Sequence, residues 1–363
     1  MAPKRTPVRR ASGKKATVKV KADPLKEYQE AIRKRGVVES LNMADDDVLA
    51  HVKRHISTQS LALDRLLNGK GFPCGRISEI SGPSHIGKSS ILDHVMAQVQ
   101  AEGGVAILAD TEVSRDMTYS KAIGVDVSKL QYLKFKSPIP TVEDVLTSVM
   151  DVVDFWKNKY PETPVVIGWD ALGGTATQDE VDKFAKGENV KPGAAAKVMA
   201  GGKRQYVSAL GGSNIAFIIV NHTYEKIDTT GRVGKKRETY GGEALRLSAS
   251  IRMEVFSKGE WIKRTDGVVI GRKIGAKLSK NRLGNPFQEV ELAMISGKGI
   301  DNVWTLFDTF TKKGLIQRSG SWSAFNLEGN VHNFQGYNGF QAIVESDPGI
   351  FQKLVAIYQA LEV

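Results

Sequence analysis

The stretch Gly82-Pro83-Ser84-His85-Ile86-Gly87-Lys88-Ser89-Ser90 joins an apolar, β-branched run, RISEI, to a segment with helical patterning, SSILDHVMAQVQ. Glycines at the first and sixth positions let backbone N–H groups wrap an anion, and a helix start adds its dipole. From there Lys88 can reach the outer phosphates and the Ser89 hydroxyl can hold Mg²⁺. The spacing G-x-x-x-x-G-K-S between a strand and a helix therefore predicts a site for ATP with Mg²⁺, with Ser90 continuing it into the helix. Two carboxylates fit the same chemistry. Asp170 ends the apolar run VVIGWD, where the carboxyl edge of a strand would bring it to the hydrated metal; capping the following segment is its alternative use. Glu112 follows VAILAD and could orient or deprotonate an attacking water.

Positioning these groups requires a particular scaffold. From Gly75 onward, short β-branched runs (RISEI, VAILAD, VVIGWD, IAFIIVN) alternate with helical stretches such as VEDVLTSVMDVVDFWKNKY and AAAKVMAGGKRQYVSALGG. That alternation predicts an α/β fold with a mainly parallel sheet covered by helices on both faces. RMEVF, GVVIGRKIGAKLSK and EVELAMI read as antiparallel additions to its edge. Residues 23–35 place Leu25, Tyr28 and Ile32 on one helical face, which could pack on its own domain, on a neighbouring subunit, or stay solvated. The expected organisation is a basic tail at 1–22, a helix and linker at 23–55, an ATPase core at 56–300 and a small α+β domain at 301–363.

Composition narrows the setting. Of the 363 residues 41% are hydrophobic and 25% charged, and no apolar run is long enough for a membrane helix, so a soluble protein with no membrane partner is expected. Residues 1–22 lack the apolar core of a secretory signal, which predicts a cytoplasmic location, in a bacterium or in a phage-infected host. Cys74 is the single cysteine, so the chain cannot close a disulfide on itself. The formal charge is +11, and eight of the basic side chains and none of the acidic ones fall within residues 1–22. Such an arm can contact phosphates, aid solubility, or serve in targeting.

In this order the segments resemble the bacterial RecA recombinase family. The resemblance runs from Ile56 to the C-terminus through SLALDRLLNGKGFPCGRISEISGP, DTEVSRDMTYSKAIGVD, IIVNH, YGGEALRLSASIRMEV, KLSKNRLGNPF and KKGLIQRSGSW. It implies a RecA-type P-loop core that forms helical filaments of identical subunits on single-stranded DNA, pairs that strand with double-stranded DNA, and shares its ATP site between neighbours. By position, Glu112 looks like the catalytic glutamate, while Asp116 and Tyr119 fall where the family contacts adenine. His222 stands where the family carries a glutamine that senses the γ-phosphate; imidazole can also donate to a phosphate, but its charge varies near neutral pH. Residues 223–242 look like the second DNA loop, with Arg232, Lys235, Lys236 and Arg237 tracking phosphates and Gly241 and Gly242 opening backbone N–H groups. Residues 178–193 correspond to the first loop, and Lys197 and Arg204 match basic positions beyond it. Lys280 and Arg282 resemble the cations that reach a neighbour's ATP. The chain departs from the family in its more basic arm and in ending at Leu361-Glu362-Val363 without an acidic tail, which would ease access of duplex DNA. A ring-shaped motor or a non-hydrolysing DNA coat on the same core are the competing readings.

Overall fold

The structure, a computed structural model, describes residues 23–34, 51–189, 193–226, 236–263 and 266–361. It divides into two units, residues 1–48 and 49–363. In the first, the described part is the helix Pro24–Lys34, where Asp23 Oδ1 accepts from the Leu25 N–H and Leu25 and Tyr28 are exposed. The expected basic tail and most of the linker lie outside the described residues.

The second unit is built on a ten-stranded sheet. Its central strand, Arg76–Gly82, pairs in parallel with Ile215–Lys226 on one side and Ile251–Lys263 on the other. Beyond Ile215–Lys226 come Val165–Asp170, Val105–Asp110 and Gln131–Tyr132, all parallel. On the opposite side Val269–Asn281, Glu289–Ile295 and Gly299–Ile300 follow, each antiparallel to its neighbour. The expected antiparallel edge is therefore present, but its first strand, which contains RMEVF, runs parallel to the central one.

Alternation along the strands explains the layers. Ile80, Leu108, Val166 and Ile218 turn to one core, with Ile91, Leu92 and Val95 of the helix Lys88–Ala101. Ile77, Ile107, Ile167 and Phe217 turn to the other, against the helices Val142–Lys159 and Ala194–Leu210. Because both faces are covered, the strands read as continuous apolar runs. The helix Val142–Lys159 starts where it does because Thr141 and Asp144 form a reciprocal capping box. A third core, centred on Phe310, Phe325, Phe334 and Phe340, belongs to the helices Asn302–Lys312, Gly336–Ser346 and Pro348–Ala360 and a three-stranded antiparallel sheet between the first two. Arg65, on the helix Leu61–Leu66, ties this region to the rest of the second unit, its guanidinium over the Tyr358 ring at 3.9 Å and donating to the Tyr358 and Leu361 carbonyls.

The helix behind the G-x-x-x-x-G-K-S loop is pinned by a buried histidine. His94 Nε2 accepts from the Ile300 N–H at 2.9 Å, so Nδ1 carries the proton and donates to Gln59 Oε1 at 3.1 Å. A side chain at Gly299 would overlap the imidazole, and its φ of +81° also favours glycine. Burial pushes the His94 pKa down to about 4. The unfolded chain protonates this group near 6.5, so the stability it lends is complete above that pH and is lost as pH falls toward 4, at up to about 1.4 kcal/mol per pH unit. We therefore expect the stability advantage of wild type over His94→Gln, from urea unfolding, to shrink across that window. A difference independent of pH would show that His94 is not held neutral.

Candidate nucleotide site and surrounding cations

A cavity of about 670 Å³ opens at the carboxyl edge of the sheet. Ser84, His85, Ile86, Gly87, Lys88, Ser89 and Ser90 line it, together with Glu112, Asp116, Tyr119, Asp170 and His222. Gly82 and Pro83 immediately precede these lining residues in the chain. A side chain at Gly82 would overlap the Val255 carbonyl of the adjacent strand, and Pro83 supplies a carbonyl that accepts from Lys88 Nζ at 2.7 Å. Gly87 precedes the helix Lys88–Ala101 with φ +100°. Burial lowers the Lys88 pKa, while the nearby Asp170 and Glu112 carboxylates oppose that shift. Asp116 caps the helix Met117–Ile123, accepting from Thr118 N–H at 2.8 Å, which holds Tyr119 in the cavity wall.

His222 sits between the loop and Glu112. Its Nε2 is 2.5 Å from Glu112 Oε1, and its Nδ1 is 3.5 Å from both Lys88 Nζ and Ser84 Oγ. One ring thus touches the cation-bearing loop through one nitrogen and a carboxylate through the other. The adjacent Asn221 donates through Nδ2 to Glu79 Oε1 and to the Tyr240 carbonyl, both at 2.8 Å. Glu79 in turn pairs with Arg252 at 2.5 Å, and Arg252 reaches Thr239 Oγ1 at 3.1 Å.

Asp170 is not alone at its strand end. Its carboxylate accepts from Arg115 at 2.6 Å, and the same guanidinium pairs with Asp93, which also accepts from Ser120 Oγ at 3.0 Å. Burial raises the Asp93 pKa to about 6 against the pull of Arg115. Burial would lower that of Arg115, but Asp93 and Asp170 outweigh it and keep the cation charged. Asp93 and Arg115 were not among the residues expected at the site, although SRDMTY puts the arginine just before Asp116 and Tyr119. Ser89 and Asp170 share the cavity and are hard oxygen donors of the kind that fit Mg²⁺.

The cations expected to meet DNA lie elsewhere. Lys197 and Arg204 are both exposed on the helix Ala194–Leu210. Arg232 and Lys235 lie outside the described residues. Lys236 and Arg237 belong to the strand Lys236–Thr239, which pairs antiparallel with the end of the strand bearing His222. Gly241 and Gly242 have φ of +82° and +56°, and a side chain at Gly242 would press on Ala196 Cβ at 2.8 Å, so backbone and packing already call for glycine. The expected loop at 178–193 requires a correction: Gln178–Ala185 is a helix, started by a Thr177–Glu180 capping box that the T-x-x-E pattern encodes. Lys280 and Arg282 do not line the cavity of their own chain. Both donate to the Leu247 carbonyl, at 3.2 and 2.8 Å. Burial, followed by the repulsion of Arg282, Arg252, Lys203 and Arg246, lowers the Lys280 pKa to about 8.

Residues 25–301 match the family model described as the RecA N-terminal domain. The chain is similar to Protein RecA of Rubrobacter xylanophilus, 32% identical over 307 residues, which cover 84% of each chain. It is also 32% identical to Protein RecA of Chlorobaculum parvum, over 79% of this chain and 78% of that one. Protein RecA of Thermus aquaticus is 32% identical over 74% of this chain and 75% of its own.

The arginine clamp generates its own test. Arg115→Ala would leave two buried carboxylates facing one another, and removing one partner of a buried pair costs about 3–5 kcal/mol. A corresponding drop in the urea midpoint is expected, with partial recovery in Arg115→Lys. An unaltered midpoint in Arg115→Ala would mean that Asp93 and Asp170 need no counter-charge.

Proposed function

The chain belongs to the RecA family and is a RecA-type recombinase; on that premise we propose that it binds ATP with Mg²⁺ in the cavity at the sheet edge, assembles as a helical filament on single-stranded DNA, and pairs that strand with a homologous duplex. The observation that carries the reading is the placement of His222. One ring spans Lys88 and Glu112 on the strand that leads into the second DNA loop. In this reading Lys88 and the backbone of residues 84–90 hold the phosphates, and Ser89 and Asp170 hold the metal, which neutralises charge on the phosphates when bound.

Glu112 orients and deprotonates the water. His222 Nε2 shares that carboxylate, so movement of the ring toward a phosphate would release Glu112 for the reaction and shift the strand that carries the loop. Lys235, Lys236 and Arg237, with Arg232, would contribute phosphate contacts from that loop, and Lys197 and Arg204 others from the helix beyond the first. Lys280 and Arg282, directed away from their own cavity, would complete the site of the next subunit. The family relationship supports these assignments, and the shared cavity of loop, carboxylates and Tyr119 further supports those of the nucleotide site.

Strand exchange between a circular single strand and a linear duplex, with and without ATP, tests the whole reading; no joint molecules with ATP would overturn it. Within it, Glu112→Gln should keep nucleotide and DNA binding and slow phosphate release by about 100-fold or more. Lys88→Ala should lose nucleotide binding, because the phosphates lose their main cation. Hydrolysis at the wild-type rate in Glu112→Gln would remove that residue from the mechanism. The shared site has a sharper test. The double variant Lys280→Ala with Arg282→Ala and the single variant Lys88→Ala should each be inactive alone, yet hydrolyse ATP when mixed on DNA. Silence in a mixture shown to co-assemble would place the two cations within their own subunit.

A further inference from the structure

Part of the cavity lining comes from the antiparallel strands, and it carries side chains without a role in the proposed chemistry. Arg272 lies directly opposite Met294 in one pairing and directly opposite Trp261 in the other. Opposed residues of antiparallel strands project from the same face, so Met294, Arg272 and Trp261 form one row across three strands. The inner end of the row is fixed against the phosphate-binding loop, since Met294 Cε would lie 3.0 Å from a Cβ at Gly87. Its outer end is Trp261, which is 60% exposed and carries the Arg272 guanidinium 5.3 Å from its ring centroid. All three side chains line the same cavity as Tyr119.

Where phosphates are held by residues 84–90, the base and ribose must fill the rest of this space. Tyr119 and the indole both border that space. A nucleobase has two π-faces, and an indole offers the largest aromatic surface with which to cover one. We propose that Trp261 stacks on the nucleobase and sets the preference for purines, and that Arg272 is the positioning residue that holds the indole. The cation over the ring restrains its rotation while remaining hydrated at the rim. The proposal rests on the nucleotide reading of the cavity and adds to it a base-recognising residue from the antiparallel part of the sheet.

The test compares two probes, Mg-ATP and magnesium tripolyphosphate, binding to the full-length protein. Trp261→Ala should weaken ATP about tenfold, the scale of one base stacked on an aromatic side chain, and leave tripolyphosphate unchanged. It should also narrow the preference for ATP over UTP, whose smaller base stacks less. Trp261→Phe should retain most of the affinity for ATP. Arg272→Ala should show a smaller loss, about threefold, on ATP alone, restored by Arg272→Lys. In a second measurement, ATP should quench tryptophan fluorescence in wild type and should do so less in Trp261→Phe. Equal loss on both probes, no loss on ATP, or identical quenching in the two proteins would overturn the proposal. If wild type binds neither probe, the nucleotide reading itself fails; if it binds both and Trp261→Ala matches it, only the stacking role does.

Discussion

Parallel pairing of the strand Arg76–Gly82 on both of its edges is the constraint from which the site follows. A strand flanked by Ile215–Lys226 and Ile251–Lys263 and covered on both faces has its backbone groups committed along its length. Its carboxyl end is where the chain must leave the sheet, and there the next residues are free to turn around a ligand. The same geometry makes the flanking strands crowd that turn. Val255 excludes a side chain at Gly82 and Met294 closes on Gly87, so the glycines that open N–H groups to an anion are also the residues that packing demands. Strand ends from Val105–Asp110 and Val165–Asp170 arrive at the same edge and deliver Glu112 and Asp170 beside Lys88.

Bringing so many charges to one edge has an electrostatic consequence. Asp93, Arg115 and Asp170 form a nearly dry triad in which neither carboxylate would be comfortable without the guanidinium. Glu79, fully buried on the central strand, is balanced in the same way by Arg252 from the strand beside it. Each pair sits next to a group with a role in the proposed chemistry. Asp170 is fixed where a metal would need it, and Glu79 anchors Asn221 next to His222. Stability and positioning are therefore not separable here, because the ion pairs that offset burial also orient the working groups.

The contacts around His222 couple the two ends of the proposed function. The imidazole bridges Lys88 and Glu112, and the amide of Asn221 ties the same strand to the Tyr240 carbonyl, close to the glycines that lead into the helix Gly242–Ser248. Tyr224 and Tyr240 approach to 5.0 Å between ring centroids, so the strand and the segment returning from the loop pack directly on each other. A shift of the ring has few ways to be absorbed locally, since Gly173 already brings the main chain against both His222 and Tyr240. This packing is the physical basis for expecting nucleotide and DNA to sense one another.

Much of this was legible in the residues. The alternation of apolar runs and helical stretches determined an α/β sheet with two covered faces, and the nine residues from Gly82 determined a tight glycine-bearing turn from strand to helix, because local spacing and glycine chemistry suffice for both. Thr177 and Glu180, three apart, also encoded a helix start where a loop was expected; the local signal was present and the resemblance outweighed it. Tertiary structure alone decided which distant side chains meet. Asp93 is separated from Arg115 by the strand Val105–Asp110, and Arg115 from Asp170 by the helices Met117–Ile123 and Val142–Lys159 with the short strand Gln131–Tyr132 between them, and nothing in their spacing announces a triad. Likewise Trp261, Arg272 and Met294 become one row only through the register of three strands. Periodicity tells which face a residue takes within its own element; register and crossover, which depend on how whole surfaces pack, determine what it faces.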